Sequence, residues 1–249
     1  MVVDLKECRK IMYEKKRNYD YSLRGSQGCC FINGDKIAKI YEHEVDINDI
    51  CDLRSYLSSH ISFPIEYIFE NGRVVGEIMP YFPYDTLNNK LTPSSKLDRF
   101  IVNYDEIIKE INLFPELLMR EMDFCENILY DENAGMYLID VSRWEKGKNC
   151  NVVNINHLNR TLMNIIMELI YGEQSYISRL LFDFEINYRI LHTTLVGKEF
   201  LALIKANLEC DYHLKELIDS YIWIVKKIYG VDIKTFKDVK KYTKIMKNS

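Results

Sequence analysis

The feature that most constrains the fold is a change of hydrophobic period at residues 80–95. Upstream, apolar side chains fall in short strand-like runs, Cys29–Ile32, Lys36–Tyr41, Ile65–Phe69 and Val74–Met79, with one helix expected near Asp46–Ser59. Asn71-Gly72, between the last two runs, is a strong hairpin signal. Pro80, Pro83 and Pro93, with Thr92, Ser94 and Ser95, punctuate a linker. Downstream the apolar residues recur at helical steps over Leu97–Leu118, Asn154–Tyr171, Gln174–Leu191, Lys198–Leu208 and Leu214–Tyr229. Leu158, Leu162, Ile165, Ile166 and Leu169, for example, fall on one side of a helix. The expectation is an α+β chain, a small antiparallel sheet with one helix packed on it and then a mainly helical body. With 249 residues and 47% hydrophobic content, it can bury a full core as one domain or as two small lobes. It contains no internal repeat and no low-complexity tract.

Inside the helical half lies a second hairpin candidate with chemistry at its ends. Ile128-Leu129-Tyr130 and Met136-Tyr137-Leu138-Ile139 are apolar runs separated by Asp131-Glu132-Asn133-Ala134-Gly135, a group of turn formers. A hairpin here brings Asn127, before the first run, beside Asp140, after the second. An amide oxygen and a carboxylate are hard donors suited to Mg²⁺, which usually keeps waters and takes its remaining ligands from substrate phosphates. The same residues also fit an ordinary surface hairpin with polar ends.

Upstream, Gly25-Ser-Gln-Gly28 reads as a turn. A strand, an Asn33-Gly34-Asp35 hairpin turn and a second strand carrying Lys39 follow it. Glycines let backbone N–H groups approach phosphate oxygens, and a lysine on the neighbouring strand neutralises phosphate charge. A glycine pair alone is usually a plain turn. The order is more specific: glycine turn, strand lysine, apolar linker strand, then Asn and Asp on a hairpin.

In this order the chain resembles the protein-kinase-like superfamily, in particular small bacterial kinase-like proteins, over roughly residues 21–172. The resemblance implies a two-lobed fold: an N-lobe over 1–80 with the glycine turn and strand lysine, a hinge and linker over 81–95, and a helical C-lobe over 96–249 with the metal-binding hairpin. Gly25 and Gly28 match the phosphate-covering loop, and Lys39 of Lys-Ile-Ala-Lys matches the lysine of Val-Ala-Ile-Lys. Arg73-Val-Val-Gly-Glu-Ile-Met-Pro-Tyr-Phe82 is similar to the strand running into the hinge, whose backbone at Met79 and Tyr81 would bind the adenine edge. Glu126-Asn127-Ile-Leu resembles the end of the catalytic loop, and Leu138-Ile-Asp140-Val-Ser142 stands at the Asp-Phe-Gly position. The implied cofactors are ATP and Mg²⁺, with Asn127 and Asp140 as metal ligands. The implied activity is transfer of the γ-phosphoryl of ATP to a hydroxyl acceptor, on a protein or a small molecule.

Departures from the family pattern keep a second function open. The catalytic base is expected five residues before the Asn, where this chain has Met122, and the nearest carboxylate is Asp123. A thioether accepts no proton. Either Asp123 orients or deprotonates the acceptor from a shorter loop, or the protein is a pseudokinase acting as a regulatory interaction module. Val141-Ser142 replaces Phe-Gly, and the final glycine of the phosphate loop is missing. For the acidic partner of Lys39 the candidates are Asp46, Asp49 and Asp52 on the expected helix; Asp52 is favoured by distance, with a solvated helix face as the alternative for it.

Other chemistries find less support. The net charge of −4 gives no general attraction to nucleic acid. Met1 to Arg17 is charged throughout, unlike a signal peptide, and no apolar run approaches the roughly 20 residues that span a bilayer. Seven cysteines without a Cys-x-x-Cys pair argue against a disulfide framework and a structural zinc site, so a reduced, soluble, cytoplasmic protein is expected. The histidines are scattered with no His-x-x-x-His spacing, and no Gly-x-Ser-x-Gly elbow marks a hydrolase. Trp144 reads as a packing anchor and the aromatics Tyr81, Phe82 and Tyr84 as core or hinge. The lysine-rich tail after Gly230 reads as a solvated helix face, with a basic contact for phosphate or membrane as the alternative.

Overall fold

The structure is a computed structural model that describes residues 4–10, 24–25, 28–119, 124–142, 144–171 and 214–244. It is a mixed α+β protein that divides into two compact units. The first comprises Met1–Tyr84, Met119–Glu121 and Tyr137–Lys146, and the second the remainder. The end of the second hairpin, Tyr137–Lys146, joins the first unit.

The first unit is built on a five-stranded antiparallel sheet in the order β1-β2-β3-β5-β4. Its strands are β1 (Arg24–Gly25), β2 (Gly28–Asn33), β3 (Lys36–Val45), β4 (Glu66–Glu70) and β5 (Arg73–Pro80). Turn chemistry sets the register. Asn71 and Gly72 both take positive φ, 50° and 80°, the pattern of a type I′ hairpin turn, and so pair Glu70 with Arg73. Gly34 at φ 64° closes the β2–β3 hairpin between the paired Asn33 and Lys36. The core of this unit includes Ala38, Ile40, Leu53, Ile61, Val74, Val75 and Ile78. Trp144 is buried edge-on against Phe63 at 5.8 Å, as a packing anchor should be.

The helix expected near Asp46–Ser59 does not form. In its place is a single 3₁₀ turn, Ile47–Asp49, followed by irregular chain. Three side chains capture backbone donors that a helix would need. Asp46 Oδ1 accepts from Asn48 N–H at 2.9 Å, Asp52 Oδ1 from Arg54 N–H at 3.1 Å, and Ser58 Oγ from the amides of His60 and Ile61 at 3.0 and 2.9 Å. Such local bonds offer the chain an alternative to the helical ladder.

In the second unit the Leu97–Asn112 helix buries Leu97, Phe100, Tyr104, Ile107 and Ile111 along one face. Its Asn103 side chain donates to the carbonyls of Asp131 and Glu132, both at 3.2 Å, and so holds the hairpin turn. Tyr104 ties it to the Cys150–Tyr171 helix through Asn159 at 2.7 Å. Two short strands, β6 (Asp85–Thr86) and β7 (Leu117–Leu118), flank this helix in sequence. The Leu214–Tyr229 and Phe236–Lys244 helices complete the unit, with Tyr221 donating to the Val239 carbonyl at 2.8 Å. Phe236 and Val239 are buried while Lys237 and Lys241 are exposed, so the lysine-rich end is an amphipathic helix. The expected helices Gln174–Leu191 and Lys198–Leu208 lie outside the described residues.

The second hairpin forms as expected, from β8 (Ile128–Asp131) and β9 (Gly135–Leu138), neighbours in a three-stranded sheet with β6. Asp131 Oδ1 accepts the amides of Asn133 and Ala134, each at 2.9 Å, and this Asx geometry turns the chain. Among the described residues no helix is long and apolar enough to cross a membrane. Among the described residues, Cys8, Cys29, Cys30, Cys51 and Cys150 are not joined in disulfides.

Candidate functional site

Lys39 sits in the middle of β3, and the sheet register decides what surrounds it. Antiparallel pairing sets Cys30 of β2 opposite Lys39 on one side and Glu77 of β5 opposite it on the other. Directly opposed residues project from the same face, and Tyr67 of β4, paired with Glu77, extends the row. Lys39 is only 6% exposed and Glu77 fully buried, so two ionisable groups of opposite sign lie inside one face of the sheet.

The ammonium of Lys39 donates to Asp140 Oδ1, a contact that closes 101 residues of chain. Asp140 is held from two directions. Leu138, just before it, donates its amide to the His60 carbonyl at 2.8 Å and accepts from Ser62 N–H at 2.9 Å, a parallel bridge that fastens the end of β9. Ser142 Oγ donates to Asp140 Oδ1 at 3.1 Å. Asp140 takes φ 58°, a left-handed conformation that Asp tolerates better than most residues, and its side chain remains 32% exposed. A backbone outlier carrying an accessible carboxylate is a feature that clusters at functional sites.

Glu77 is the group that sequence reasoning missed. Among the described residues neither of its carboxylate oxygens has a partner in hydrogen-bonding geometry. Burial pushes its carboxyl up to about 7; Lys39 opposes the rise, Asp140 adds to it, and the hydroxyls of Tyr41 and Ser142 weakly favour the charged form. The same burial raises the Tyr41 phenol and pushes the Cys30 thiol up to about 11. Because the folded chain holds the Glu77 proton more tightly than the unfolded one, stability is greatest below the ordinary glutamate range and falls as pH rises through about 7. Urea denaturation from pH 5 to 8 is expected to show this fall, and Glu77→Gln is expected to flatten it.

Asp52, expected as the partner of Lys39, is engaged elsewhere. It makes a two-point contact with Arg54, at 2.9 and 2.7 Å, and Lys39 turns to Asp140 instead. The hydrogen-bonded guanidinium holds the Asp52 carboxyl at about 2, so its small contribution to stability is present above the usual aspartate range and lost as pH falls toward 2. Asp52→Asn is expected to shift the denaturation midpoint at neutral pH only slightly, because the pair is half exposed.

Of the other expected site residues, Gly28 opens β2, pairs with Gly25 of β1 and lies opposite Tyr41. A Cβ built on Gly28 meets the Ile40 carbonyl oxygen at 2.0 Å, so this position admits only glycine without a strand shift. Met79 is buried and paired with Ile37. The Tyr81 amide donates to the Asp35 carbonyl at 2.9 Å and the Pro80 carbonyl accepts from Ser62 Oγ at 2.9 Å, so part of the hinge backbone is committed within the fold. Asn127 ends the short Phe124–Asn127 helix and is half-buried in the second unit, whereas Asp140 belongs to the first. Met122, Asp123 and Arg143 lie outside the described residues. Among those described, no three His, Cys, Asp or Glu side chains gather as a metal cage.

The aromatics after the hinge converge on Tyr137. Its ring centroid lies 4.6 Å from that of Phe82, 4.8 Å from Tyr84 and 5.3 Å from His60. This cluster is part of the packing of the first unit. No protein-family model matches the chain, and no curated protein matches it.

Proposed function

We propose that the chain is a two-lobed, protein-kinase-like phosphotransferase that binds ATP with Mg²⁺ and passes the γ-phosphoryl group to a hydroxyl acceptor. The observation that carries the reading is the buried strand lysine joined to Asp140. A scaffold has no chemical need to place an ammonium in the interior opposite a carboxylate held at a left-handed φ. The donor chemistry of the first unit fits the group: Asp140 offers an accessible carboxylate, a hard donor of the kind Mg²⁺ takes. When bound, Mg²⁺ supplies neutralisation of the charge on the phosphates.

In this reading Lys39 steadies the phosphates, and Gly25 and Gly28 allow the backbone close to them. Met79 and Tyr81 flank the adenine, although an adenine edge at the Tyr81 amide has to displace its bond to Asp35. Asp123 orients the acceptor hydroxyl and takes its proton. Positioning and electrostatics dominate phosphoryl transfer, so an imperfectly placed base lowers the rate without removing the chemistry. The acceptor is a protein or a small molecule, and the protein works in the cytoplasm.

A second reading, a pseudokinase that presents its surface to a partner, is favoured by Met122 at the position of the base. Incubation with γ-labelled ATP, Mg²⁺ and hydroxyl acceptors separates the two. Transfer of label that is lost in Asp140→Ala supports the enzyme, and nucleotide binding without transfer across metals and acceptors supports the regulator.

A further inference from the structure

Lys39 has two carboxylates within reach of its face of the sheet and uses only one. Its ammonium is engaged by Asp140, while Glu77, opposed to it in the β3–β5 register, is fully buried with neither oxygen in hydrogen-bonding geometry to a described residue. An unpaired carboxylate in the interior is costly, and proteins seldom keep one without a use. Nearby polar groups discharge that cost only in part: the Tyr41 and Ser142 hydroxyls ease the charged form without standing in hydrogen-bonding geometry to Glu77. The Tyr67 hydroxyl is occupied with the Cys51 carbonyl at 3.1 Å, and Ser142 Oγ with Asp140 at 3.1 Å. On the other side of Lys39 stands Cys30, a protonated thiol and a weak acceptor. Two acidic groups of the 46–52 segment are committed locally, Asp46 to Asn48 and Asp52 to Arg54.

We infer that Glu77 is the second acceptor of the Lys39 ammonium, a positioning residue that takes the lysine over when Asp140 is engaged by a cation. The inference rests on the nucleotide-site reading for its purpose, but not for its geometry. Asp140 cannot serve a metal well while it is the carboxylate that the buried lysine engages. With Glu77 in the facing strand, the ammonium swings from one carboxylate to the other without leaving the protein. It then points to the phosphates from a fixed base. The burial of Glu77 keeps water from competing for the ammonium.

The test is a double-mutant cycle on the full chain, read by urea denaturation at pH 8, with Glu77→Gln placed in wild type and in Asp140→Asn. Asn tolerates the left-handed φ of position 140, so the second background keeps the backbone. In wild type, Glu77→Gln removes an orphaned charge and the midpoint rises. In Asp140→Asn, Glu77 holds the lysine, and the same change lowers the midpoint. A shift of the same sign and size in both backgrounds overturns the inference. Lys39→Met gives an independent background: with the ammonium gone, Glu77→Gln must raise the midpoint more than it does in wild type, and an equal rise also overturns the proposal. Calorimetry with Mg-ATP separates this from the function itself. Binding weakened roughly tenfold or more in Glu77→Gln supports the hand-over, and undiminished binding contradicts it. A wild type that binds no nucleotide sinks the phosphotransferase reading while the cycle still decides the role of Glu77.

Discussion

Lys39→Met is expected to weaken ATP binding by about a hundredfold, in the range found when one partner of a buried charge pair is truncated. The register places the ammonium between Cys30 and Glu77 on this face of the sheet, and it engages Asp140. Methionine preserves the length and apolar packing of the lysine stem, so the loss reports on charge rather than on a cavity. The substitution also leaves two carboxylates facing each other without a counter-ion. Glu77 answers by staying protonated to higher pH, and Asp140 turns to solvent, which its partial exposure permits. The stability cost is therefore about 2 kcal/mol, below that of breaking a fully buried pair. Calorimetry and urea denaturation on the same preparation check both numbers; unchanged affinity in a folded variant would remove Lys39 from the site.

Gly76→Ala is expected to cost about 3 kcal/mol, the upper end of overpacking effects, and to disturb Lys39 without touching its side chain. A Cβ at position 76 meets the Lys39 carbonyl oxygen at 2.5 Å and the Ile40 backbone at 3.2 Å. Both contacts are to backbone, so relief requires β5 to move away from β3. That movement would separate Glu77 from Lys39, because the two face each other one step along the same ladder. Gly34→Ala is the comparison. Nothing lies within 4 Å of a Cβ there, and only its positive φ of 64° resists, a penalty of about 1 kcal/mol. Equal destabilisation by the two substitutions would mean that the close approach of β3 and β5 is not what position 76 is for.

Much of the first unit was legible because its signals are local. Alternation and the turns at Asn33-Gly34-Asp35 and Asn71-Gly72 placed four strands to within a few residues, since a turn residue with positive φ fixes the pairing on either side. The hairpin after Asn127 was legible for the same reason. The segment 46–59 was not. Its spacing of Asp residues looks helical, but Asp46, Asp52 and Ser58 act as side-chain caps, and spacing carries no sign of which role a residue takes. The carboxylates around Lys39 were missed as its partners because they were sought nearby in sequence, whereas Glu77 is set opposite it by sheet register and Asp140 comes from a hairpin 101 residues on. Glu77 did leave a signal, as the only charge among Val74, Val75, Gly76, Ile78 and Met79. A strand buried on both faces reads as a nearly continuous apolar run, and a charge inside one has to find a partner or change its protonation.

The most direct test of the account is calorimetric titration with ATP, with and without Mg²⁺, on the wild type and on Asp140→Ala. Binding is expected to strengthen with the metal in the wild type and to lose that dependence in the variant. Metal-dependent binding that survives in Asp140→Ala, or no binding by the wild type under any condition, would contradict it.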